Sequence, residues 1–75
     1  MSQLSLAPTP VEILEKALQE ERAACDFYTN LAVNCKVVFL SELLVELRDE
    51  EAKHVKMIQA MLSQIKAGTT PKFKH

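Results

Sequence analysis

Seventy-five residues with 48 % apolar side chains and one glycine bound the chain to one small domain of long helices. The net charge of −1, with no basic cluster larger than the terminal Lys72 and Lys74, argues against nucleic acid as the main partner and points to no other class. A core in so short a chain rarely supplies more than about 3–5 kcal/mol, so partner chains or a metal are expected to contribute.

Residues 1–8 read as a loose tail. The opening MSQLSLA has no basic stretch and no apolar run long enough for a secretory signal, and nothing approaches the ~20 apolar residues of a membrane span. The expectation is a cytoplasmic protein with no membrane partner. Thr9, Pro10 and Glu12 form a helix start: the threonine can accept from an orphan amide, proline suits the first helical position, and Glu12 can close a capping box. The first helix is predicted over about 10–33. Its apolar stripe runs through Leu14, Ala17, Leu18, Ala24, Cys25, Tyr28, Leu31 and Ala32 at steps of three and four, with Glu21 in the middle.

Asn34, Cys35 and Lys36 interrupt the pattern, and asparagine tolerates the left-handed conformation of a helix stop, so a tight turn is predicted over about 34–37. The second helix is predicted over about 38–66. Gly68 suits its C-terminal cap, and residues 68–75 form a polar tail. Val37 and Val38 offer no capping side chain, and residues 36–40 could also be read as a short strand, but no second strand is at hand to pair with it. The whole is an all-α antiparallel two-helix hairpin spanning 9–67. Cys25 and Cys35 stand ten residues apart, about 15 Å along one helix, too far for a disulfide within it, and no C-x-x-C pair exists. They read as two small, buried, reduced thiols.

The second helix carries its own stripe, Leu40, Leu44, Leu47, Ile58, Met61 and Ile65, and Glu51 and His54 continue it without a break. At about 100° per residue both fall within roughly 60° of the line through the leucines. With the turn centred between Cys35 and Val38, Glu21 and Glu51 lie at one height on the two helices, and His54, one turn along, points at the same place. Ionised carboxylates in a core lose hydration worth several kcal/mol in practice unless they protonate or find a cation. A divalent metal resolves both that loss and their mutual repulsion; carboxylate oxygens with an imidazole suit iron, manganese or zinc. One hairpin supplies only three ligands and cannot bury its own faces. Two hairpins answer both needs, as a homodimeric four-helix bundle with four glutamates and two histidines around two metals.

The segment ERAACDFY, containing Glu21 and Tyr28, and the later DEEAKH, containing Glu51-x-x-His54, together resemble the two halves of the metal signature of ferritin-like and rubrerythrin-like di-iron proteins. Larger members carry the signature twice. A single copy over roughly residues 10–66 is most similar to the encapsulated ferritins. That resemblance implies Glu21, Glu51 and His54 as iron ligands and catalytic residues, two irons per dimer, and Tyr28 as the aromatic neighbour, with Glu20 and Glu50 flanking. It implies ferroxidase activity with dioxygen or peroxide in iron storage or detoxification, higher homo-oligomers, and an encapsulin-type shell as partner and nanocompartment. Ala23 and Phe27 depart from the encapsulated pattern, where an acidic residue and a tryptophan are usual, and no targeting tail is read in residues 68–75.

Each feature also has a plainer reading. An acid and a histidine three apart arise on solvated faces, where Asp49 and Lys53 are expected to form an i, i+4 pair. Met57 and Met61 read as core fillers, Tyr28 as a core residue more than an electron relay, and Glu20 and Glu50 as solvated. The alternative functions are a metal-stabilised structural or regulatory bundle without turnover, a peroxide reductase of rubrerythrin type using an external electron donor, and a helical adaptor docking on another protein.

Overall fold

A computed structural model describes residues 7–71. Of the tails expected at 1–8 and 68–75, residues 1–6 and 72–75, including Lys72 and Lys74, lie outside the described residues. Two helices, α1 over Pro10–Asn34 and α2 over Val38–Lys66, form an antiparallel hairpin, with no strand among the described residues.

The start of α1 follows from its first residues. The Thr9 hydroxyl accepts from the Glu12 amide at 3.1 Å, and the Glu12 carboxylate accepts from the Thr9 amide at 2.9 Å, which closes the capping box ahead of Pro10. Its end differs from the sequence expectation. Asn34 stays helical, its side-chain amide donating back to the Asn30 carbonyl at 3.0 Å, and the chain leaves through an extended Cys35 (φ −86°, ψ 127°). A left-handed asparagine is unnecessary because three residues, Cys35 to Val37, suffice to reverse the chain. α2 begins at Val38 with no side-chain cap, the Val37 carbonyl accepting from the Ser41 amide at 2.9 Å. It ends in a Schellman motif: Gly68 takes φ +86°, its amide donating to Ile65 at 3.0 Å and that of Thr69 to Gln64 at 2.9 Å.

Packing is one-sided. Among the described residues only Leu62 is buried. Two helices meet along one line, so each stripe is half covered by its neighbour and half bare. At about 100° per residue, Ile13, Phe27 and Leu31 of α1 and Leu40, Leu43, Leu47 and Met57 of α2 project to the same side of the hairpin, and all are exposed. The opposite side carries Arg22, Asp26, Lys56 and Gln59 around a shallow groove. Met57, expected as core filler, is therefore bare in the single hairpin, and Cys25 and Cys35 are half-buried instead of buried.

Candidate metal centre

Glu21 stands near the midpoint of α1 and Glu51 near that of α2, so the hairpin brings them together halfway along its length. His54 follows Glu51 by one turn. One donor atom from each of the three lies within 4.8 Å of the others. The His54 Nδ1 is 3.4 Å from the Glu21 Oε1 and 3.2 Å from the Glu51 Oε1.

These donors are not enclosed, contrary to the expectation of burial. The side chains of Glu21 and Glu51 are 30 % and 24 % exposed, and that of His54 is 46 % exposed. The reason is geometric: His54 lies on the bare apolar side, which the other helix of the hairpin does not cover. The cluster is thus set in hydrocarbon surroundings but open toward one face.

Protonation shows the strain among three such groups. Glu51 is raised above the ordinary carboxylate range, first by its hydrogen bond with Glu21 and then by desolvation. Glu21 is lowered by the same bond, so of the two carboxylates Glu21 ionises more readily and Glu51 holds its proton to higher pH. His54 is raised, chiefly by hydrogen bonding to Glu51 and then to Glu21. The shifts of Glu51 and His54 run in the direction that lessens repulsion between the two carboxylates when no cation is bound.

The donor set fits a metal. With bonds of about 2.1 Å, two ligands at right angles lie about 3 Å apart and two opposite ones about 4 Å apart, and the separations of His54 Nδ1 from the Glu21 and Glu51 oxygens, 3.4 and 3.2 Å, fall inside that range. Two oxygens and one nitrogen suit first-row divalent ions, iron among them, and leave coordination positions open toward the bare face.

The flanking residues are arranged differently. Tyr28 stands two turns from Glu21 on the same stripe, half-buried, its ring meeting that of Phe27 edge to face with centroids 5.5 Å apart. Glu20 pairs with Lys16 at 3.4 Å and Glu50 with Lys53 at 3.3 Å, with glutamate side chains 67 % and 60 % exposed. Both are solvated margins of the open face and stand apart from the cluster. The expected Asp49–Lys53 pair does not form. Asp49 takes the neighbouring Arg48 guanidinium at 2.8 Å, leaving Lys53 to Glu50. Cys25 is a neighbour that the sequence reading gave no part in the site. One turn beyond Glu21, its thiol donates to the Arg48 carbonyl at 3.6 Å. Desolvation and then the charges of Glu51, Asp26 and Glu21 push it up, which keeps it a protonated thiol and a poor ligand. Its i, i+4 spacing from Glu21 on the shared stripe was the available signal.

A protein-family model described as Rubrerythrin matches residues 12–75, which contain both helices' donors. No curated protein and no solved structure gives a significant match.

Proposed function

The chain belongs to the rubrerythrin family, whose members typically bind iron, and from that premise we propose that it is a ferroxidase completed by pairing of two hairpins. The observation that carries this is the meeting of Glu21, Glu51 and His54 at one level on an otherwise apolar, uncovered face. Three ligands from one chain under-coordinate an iron. A second copy laid on the same face brings four carboxylates and two imidazoles around two ions and covers the exposed leucines with the same step.

In this reading Fe(II) is the substrate: two ions give up one electron each, which with two protons reduces peroxide to two waters or dioxygen to hydrogen peroxide; four Fe(II) ions and four protons take dioxygen to two waters. The protein's own part is electrostatic and positional. Glu21 and Glu51 supply negative charge that favours the higher oxidation state. Any proton held by Glu51 or His54 must leave as metal enters. Leu47, one turn before Glu51, and Met57, one turn after His54, would limit water only once a second copy covers the face. Iron storage or detoxification is the matching role, and the encapsulated-ferritin likeness, with its shell, remains part of the proposal.

The test is aerobic addition of Fe(II) to purified protein, followed by ultraviolet absorbance against buffer. Oxidation well above the buffer rate, abolished in Glu51→Ala, is the expected result. Wild-type protein that binds metal yet oxidises Fe(II) no faster than buffer would leave a metal-fastened bundle without turnover.

A further inference from the structure

We draw no further inference here: the strongest candidate, the exposed apolar patch of Val33, Val37, Val38 and Phe39 at the turn end of the hairpin, carries nothing because nothing in the structure shows what covers it.

Discussion

At the scale of single residues, the decisive fact is that His54 Nδ1 faces both carboxylates. A metal must displace protons from this cluster, and the raised His54 and Glu51 hold theirs to higher pH than free side chains do. Metal affinity is therefore expected to climb with pH, by about tenfold per unit for each proton displaced, and to level off above the His54 pKa. Isothermal titration at several pH values, with proton release measured from buffer ionisation heats, checks this; a flat profile between pH 5 and 8 would contradict it.

Without metal the sign reverses. A group raised on folding stabilises the fold below its unfolded pKa and ceases to as pH rises through the folded one, which describes His54 and Glu51. Glu21, lowered, contributes above its unfolded pKa and loses that contribution as pH falls. The metal-free hairpin should therefore melt highest at the mildly acidic pH where Glu21 is ionised and Glu51 still holds its proton, and lower as pH falls through Glu21 or rises through Glu51 and His54. Glu51→Gln, which keeps an amide donor beside Glu21, should leave helicity unchanged while weakening metal binding at least about tenfold.

At the scale of elements, the ends of the helices test how the sequence builds the hairpin. Thr9→Ala removes one arm of the capping box and should cost about 1 kcal/mol of stability. Gly68→Ala should cost a similar amount, about 1 kcal/mol, purely through backbone conformation, because an added Cβ meets nothing within 4 Å at φ +86°. Both are read by thermal unfolding under metal-saturated conditions, and an unchanged midpoint for either would show that its cap is dispensable.

These two ends were legible because each rests on a local rule: a threonine three before a glutamate, a glycine after the last periodic residue. The turn between was less so. Asn34 could have stopped the helix by going left-handed, yet its side chain found the Asn30 carbonyl and the helix ran on. The Asp49 pairing failed for a similar reason, since spacing alone cannot say that Arg48 will fold onto its neighbour. Convergence of Glu21, Glu51 and His54 was readable because it depends on register and period, which the stripes fix. Their exposure was not, because it depends on what lies across the open face.

At the scale of the whole molecule, a hairpin with one buried residue among those described leaves most of its apolar side chains uncovered. No helix is long and apolar enough to cross a membrane among the described residues. A second hairpin is the covering we propose, and since the site would draw ligands from both chains, metal and dimer must strengthen each other. Leu47→Lys, a charge placed on the uncovered face beside the cluster, should dissociate the dimer and lower metal affinity together. Dissociation with undiminished metal binding would show that one hairpin holds the ion alone.

The most direct measurement is anaerobic Fe(II) titration with mass and metal content read on the same sample, for wild type and His54→Ala. The account requires two 8.4 kDa chains to carry two irons, and the variant to lose them while keeping its helices. A wild-type dimer that stays iron-free, or a His54→Ala protein that binds as much iron as tightly, would contradict it.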